Sequence, residues 1–126
     1  MDVTAKLQIK PGQRIATLAG SGDVPSVAGE GDANPSAAPD AADAIVAFVR
    51  SRTELGTVAG PAIEAARRDR LAWIAYPKAG KLGTDLNRDI LAAALAGAGV
   101  QPVRQVAIDE TWSALRFRPA AYPRRR

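Results

Sequence analysis

The sequence predicts an α/β fold: a truncated three-layer sandwich on a mostly parallel five-stranded sheet that ends in a C-terminal antiparallel hairpin. Three observations point there. Three short apolar runs, Arg14 to Ala19, Ala44 to Val49 and Leu71 to Tyr76, fit strands covered on both faces. Apolar residues recur at helical spacing between the second and third runs. Two runs near the C-terminus alternate with the period of a sheet and are joined only by Asp109 and Glu110.

In chain order, Met1 to Lys10 alternates polar and apolar residues and lacks the apolar core of a secretory signal. Lys10, Pro11, Gly12 and Gln13 are turn chemistry ahead of the first strand. Residues 20–43 are dominated by Gly, Ala, Ser, Pro and Asp, with Pro25, Pro35 and Pro39 breaking any regular element. That composition predicts a flexible insertion. After the second strand, Leu55, Val58, Ala59, Ala62, Ile63 and Ala66 mark two short helices parted at Gly60-Pro61, with Pro61 opening the second. The third run ends at Pro77, and a Gly- and Lys-containing loop follows. Thr84 or Asp85 is then expected to cap a helix carrying Leu86, Ile90, Ala93 and Ala94 inward, stopped by Gly97 and Gly99. The hairpin strands span Pro102 to Ile108 and Thr111 to Arg118, with Ser113, Leu115 and Phe117 on one face and Trp112, Ala114 and Arg116 on the other.

A chain of 126 residues builds one core. The expected organisation is a single domain over 1–119, interrupted by the insertion, and a basic C-terminal tail over 120–126. With 47% apolar but only 5% aromatic residues, that core rests on small and branched aliphatic side chains. The Ala, Gly and Arg bias fits a bacterial source. Of the net charge of +4, Arg124, Arg125 and Arg126 supply three, leaving 14 basic against 13 acidic residues in the body. Such a tail reads first as a solvated charge run and second as a weak electrostatic contact for nucleic acid. The longest strongly apolar run, Ala44 to Val49, is too short to span a membrane, so the expectation is a cytosolic protein.

The chain has no cysteine and no histidine. Disulfides, thiol nucleophiles, Cys-containing zinc sites and a Ser-His-Asp triad are thereby excluded, and Ser113 has no histidine to activate it. No spaced carboxylate cluster suggests a metal, and no cofactor is assigned.

Lys10-Pro11-Gly12, Phe48-Val49-Arg50-Ser51-Arg52, Ala75-Tyr76-Pro77-Lys78, Asp85-Leu86-Asn87-Arg88-Asp89 and the run from Ala107 to Phe117 resemble a family of short bacterial proteins of unknown function. That family has a truncated, Rossmann-like fold of the class I methyltransferase kind. The resemblance implies strand order 1-2-3-5-4, with the last strand antiparallel between the third and fourth. It implies no catalytic residues. The acidic residue that holds the cofactor ribose in methyltransferases follows a strand with no counterpart here.

Three groups are candidates for chemistry. Gly20 and Gly22, after the first strand, stand where a phosphate-cradling loop would lie, although Pro25 takes the place of the third glycine. Lys78, Lys81, Gly83 and Thr84 form a loop that would lead two cations and free N–H groups to a helix N-terminus, an anion site. The competing reading gives those donors to Asp85. Asp109, Glu110 and Trp112 at the hairpin form a third group with Asp85, Asn87, Arg88 and Asp89 on the first turns of the preceding helix, where caps, turns and ion pairs are the simpler account; Asp109 suits an Asx turn and Trp112 a packing anchor. The reading that follows is a non-catalytic binding or interaction module taking a small anionic ligand or a protein partner. The alternative is a methyltransferase-like enzyme or adenosyl-cofactor or nucleotide binder at the carboxyl edge of the sheet. Self-association through an exposed sheet edge is a further expectation.

Overall fold

The computed structural model describes residues 3–10, 12–20, 25, 41–78 and 80–120. One turn of helix, α1 (Val3–Lys6), leads into an extended segment and then β1 (Ile15–Ala19) and β2 (Ala44–Phe48). Helices α2 (Arg52–Val58) and α3 (Gly60–Arg67) connect β2 to β3 (Leu71–Pro77), and α4 (Arg88–Ala96) connects β3 to β4 (Val100–Ala107) and β5 (Trp112–Pro119). The strand order is β1-β2-β3-β5-β4.

The sheet is mixed, which corrects the mostly parallel sheet expected from the sequence. β1 with β2 and β2 with β3 are parallel; β3 with β5 and β5 with β4 are antiparallel. Four strands run one way, but the single reversed strand sits inside the sheet and not at its edge. It therefore turns both of its junctions antiparallel.

The three-layer expectation is corrected too. Leu55 of α2, Ala62, Ala65 and Ala66 of α3, and Leu91 and Leu95 of α4 all pack into one cluster with Ile45, Ile74, Leu115 and Phe117. Successive connections β2 to β3 and β3 to β4 advance across the sheet in the same direction, and right-handed crossovers that never reverse lay α2, α3 and α4 on the same face. The other face is covered by the N-terminal segment. Leu7 and Ile9 close over Ile15, Val46, Phe48, Trp73 and Trp112, and the indole N–H of Trp73 donates to the Leu7 carbonyl at 2.9 Å. The alternating N-terminal residues thus serve as a strap, a role their pattern did not reveal.

Ser51 caps α2 and accepts from the Glu54 N–H. Pro61 sits in the first turn of α3, after Gly60, one position later than expected. The expected insertion at 20–43 is anchored at its far end, where Ala42 is buried in the core and the Asp43 carboxylate accepts from the Arg14 N–H at 2.8 Å. Gly22 and most of that segment, with the tail beyond Ala120, lie outside the described residues. At the β4 edge, Pro102 and a register shift between Pro102 and Arg104 break the row of ladder groups another strand would need. Among the described residues, no helix is long and apolar enough to cross a membrane.

Candidate functional site

Among the described residues, one cleft lies at the amino ends of the strands and another at the carboxyl end of β3. At the amino ends, a cleft of about 280 Å³ is lined by Arg14, Ala41, Ala42, Asp43 and Arg70. The Arg14 guanidinium lies 3.6 Å from Asp43. The Arg14 N–H, followed by that nearby charge, holds the Asp43 carboxyl below its usual range, so this cleft carries its own anion.

The carboxyl end of β3 holds the other cleft, about 240 Å³, lined by Tyr76, Lys78, Asn87, Arg88, Gln105 and Ser113. The sheet places them. Tyr76 and Ser113 are directly paired across β3 and β5, on the face shared with the helices. The Gln105 side-chain amide of β4 donates to the Tyr76 hydroxyl at 3.3 Å. Lys78 continues β3 past Pro77, and its N–H donates to the Thr111 carbonyl at 2.7 Å, which fixes the strand end. Asn87 and Arg88 arrive from the first turn of α4.

The start of α4 differs from the sequence expectation. Its cap is Asn87, whose side chain accepts from the Ile90 N–H at 2.8 Å, and not Thr84 or Asp85. Thr84 instead accepts from the Leu86 N–H, and Asp85 accepts from the Arg52 N–H at 2.9 Å. Leu86 precedes the cap and shares a cluster with Leu91, a hydrophobic staple. The helix consequently buries Leu91 and Leu95, leaves Ile90 half-buried and exposes Ala93 and Ala94.

These shifts divide the candidate residues. Lys78 lines the cleft, whereas Lys81, Gly83 and Thr84 belong to a separate 3-10 turn, Lys81–Gly83, where Gly83 takes φ +67°. Asp109 fixes the hairpin, its carboxylate accepting from the N–H groups of Thr111 at 2.8 Å and Trp112 at 2.7 Å. Trp112 is buried, edge-on to Phe48 with ring centroids 5.2 Å apart and under the Arg50 guanidinium at 5.5 Å. Gly20 faces Glu54: a Cβ there would come within 2.7 Å of the Glu54 carboxyl carbon. The space beside the first strand's glycine is thus filled by a carboxylate, the wrong charge for a phosphate cradle. Tyr76, Gln105 and Ser113 joined the site without any sequence motif. The only available signal was their shared sheet face, which requires the register to be known.

Burial is the main influence on the Tyr76 phenol and raises its pKa; the Arg88 charge and a hydrogen bond with Ser113 act in the opposite sense. It therefore stays a neutral hydroxyl at physiological pH. Ser113, buried and bonded to a protonated phenol, is given no base to activate it. Two cations and four neutral polar or hydroxyl-bearing side chains line this cleft, and no carboxylate does. Among the described residues, no three carboxylates are grouped to hold a metal.

Comparison of the chain with protein-family models, with curated proteins and with solved structures finds no match to any of them. The structure defines a class of architecture: a mixed α/β sheet with α2, α3 and α4 on one face, an N-terminal strap on the other and a cleft lined by Lys78 and Arg88 at the end of β3.

Proposed function

We propose that this chain is a non-catalytic binding module that takes a small anion, phosphate or carboxylate in chemistry, in the cleft between the end of β3 and the start of α4. The observation that carries it is the lining: Lys78 and Arg88 with the hydroxyls of Tyr76 and Ser113, while among the described residues the nearby carboxylate of Asp89, 3.8 Å from the Arg88 guanidinium, stays outside the lining. Guanidinium and ammonium groups make charge-assisted hydrogen bonds to such an anion, and the positive end of the α4 dipole favours it further. A volume near 240 Å³ suits a ligand smaller than a nucleotide cofactor.

The cofactor-binding alternative finds less support. Doubly wound folds bind dinucleotides where strand order reverses and helices change faces, and this sheet advances in one direction with its helices on one face. The Glu54 carboxylate at Gly20 opposes a phosphate there. A cytosolic setting goes with this reading, as does the resemblance to a family without assigned catalytic residues.

Calorimetric titration with inorganic phosphate, pyrophosphate and small dicarboxylates tests it. Saturable binding by one of them is expected, weakened about tenfold or more in Lys78→Ala and in Arg88→Ala, since a hydrogen bond to a charged group contributes about 1.5–3 kcal/mol. No saturable binding by any of these anions overturns the reading, as does binding that both variants retain unchanged.

A further inference from the structure

On the face opposite the helices, three arginines meet at one corner of the sheet. Arg104 of β4 lies directly across from Arg116 of β5. Arg118 is two residues further along β5 and shares that face by the alternation that puts Trp112 and Ala114 there. Direct cross-strand neighbours have Cβ atoms roughly 5 Å apart, a spacing at which like charges destabilise the pair. Asp69 answers Arg118, which holds its carboxylate bidentately at 2.7 and 2.9 Å. Arg116 gives one terminal nitrogen to the Gln8 side chain at 2.9 Å, while its Nε is buried with no hydrogen-bond partner. Burial first, then the charge of Arg118, lower the Arg116 pKa, and Arg104 adds to that effect. Arg104 is exposed.

A clustered cost of this kind is relieved by an anion with more than one charge centre. Guanidinium forks match phosphate oxygens bidentately, which ammonium groups do not. Among the described residues, the aromatic side chains of this face, Phe48, Trp73 and Trp112, are all buried and offer no platform on which unpaired bases could stack. What remains is recognition of backbone phosphate. We propose that the Arg104–Arg116–Arg118 corner is a docking surface for the phosphate backbone of double-stranded nucleic acid, independent of base sequence. The surface uses none of the anion-cleft residues and stands whether or not that cleft binds a ligand.

Fluorescence anisotropy of a labelled 20-base-pair duplex, titrated with the full chain between about 50 and 200 mM salt, tests the proposal. With Arg124, Arg125 and Arg126 all changed to Ala, binding is expected to persist with a log–log salt slope of about −2, since Asp69 already compensates Arg118 and each further phosphate neutralised contributes roughly −0.9. Arg104→Ala should reduce the slope by about one and Arg104→Glu should weaken binding at least tenfold, with thermal melting of both variants within a few degrees of the parent. Arg68→Ala, on the helix side, should change affinity less than twofold. Loss of all salt-dependent binding in the tail variant assigns the affinity to the tail and overturns the proposal. Unchanged binding by Arg104→Glu overturns it as well, and tighter binding of a single strand than of the duplex replaces backbone recognition with base stacking.

Discussion

The two faces of this sheet are closed by different means. Behind one, α2, α3 and α4 bring Leu55, Ala62, Ala65, Ala66, Leu91 and Leu95 against β-branched and leucine side chains, so many small contributions make the layer. Across the other, among the described residues, a strap of a few residues contributes Leu7 and Ile9, and the sheet itself supplies bulk through Phe48, Trp73 and Trp112. In a chain so poor in aromatics, both tryptophans and one of the two phenylalanines are on the side that has no long helix. A short cover closes a face only when the side chains beneath it are large enough to meet it. The helix face spreads its stability; the strap face concentrates it.

The comparison breaks or holds first on single truncations. Trp73→Ala removes the largest fully buried side chain and also leaves the Leu7 carbonyl without its indole donor, so a loss of about 4–5 kcal/mol is expected. Leu91→Ala, equally buried behind the helices, should cost about 2–4 kcal/mol. Urea denaturation of both variants measures the difference. Equal losses would mean that the strap face is not the more concentrated of the two.

Local reinforcement separates the faces next. The Asp109 carboxylate accepts from two backbone N–H groups and holds the turn that delivers Trp112 to the strap face, whereas Asn87 accepts from one at the start of α4. Asp109→Ala should therefore cost about 1.5–2 kcal/mol and Asn87→Ala about 1 kcal/mol by the same measurement. The reverse order would place the more important fixing point on the helix side.

What the sequence disclosed follows the same division. Runs such as Ala44 to Val49 and Leu71 to Tyr76 are legible because burial on both faces makes them continuously apolar, and the alternation of Trp112 to Phe117 announces a sheet strand with its faces assigned. The Asx turn at Asp109 is legible because its hydrogen bonds are local. The strap is not, since Leu7 and Ile9 gain their meaning from Trp73, more than sixty residues away in the chain. The start of α4 was misplaced because Thr84, Asp85 and Asn87 are all capping residues, and the choice among them is made by Leu86 and Leu91 meeting in the core. The cleft at the end of β3 was half visible. Lys78 stood out as a charge in a loop, but Tyr76, Gln105 and Ser113 are neighbours only once β5 is inserted between β3 and β4.

The weakest difference between the faces is electrostatic, and it concerns the arginine corner. Hydrogen bonding from Arg118, and after it the Arg118 charge, lowers the Asp69 pKa. A carboxyl whose pKa is lower in the folded chain than in the unfolded one contributes stability above the ordinary range near 3.9, and that contribution fades as pH falls through the folded value. Both partners keep more than a quarter of their side-chain surface exposed, 27% for Arg118 and 30% for Asp69, so the contribution should stay below about 1 kcal/mol. Asp69→Asn is expected to lower stability at pH 7 by that small amount and to flatten the acid limb of the stability profile between about pH 5 and pH 2. Asp43, with a pKa lowered by the Arg14 N–H at the amino ends of the strands, still titrates in the same direction, so the limb is reduced and not abolished. An acid limb identical in parent and Asp69→Asn would mean that Asp69 gains no more from Arg118 than from water.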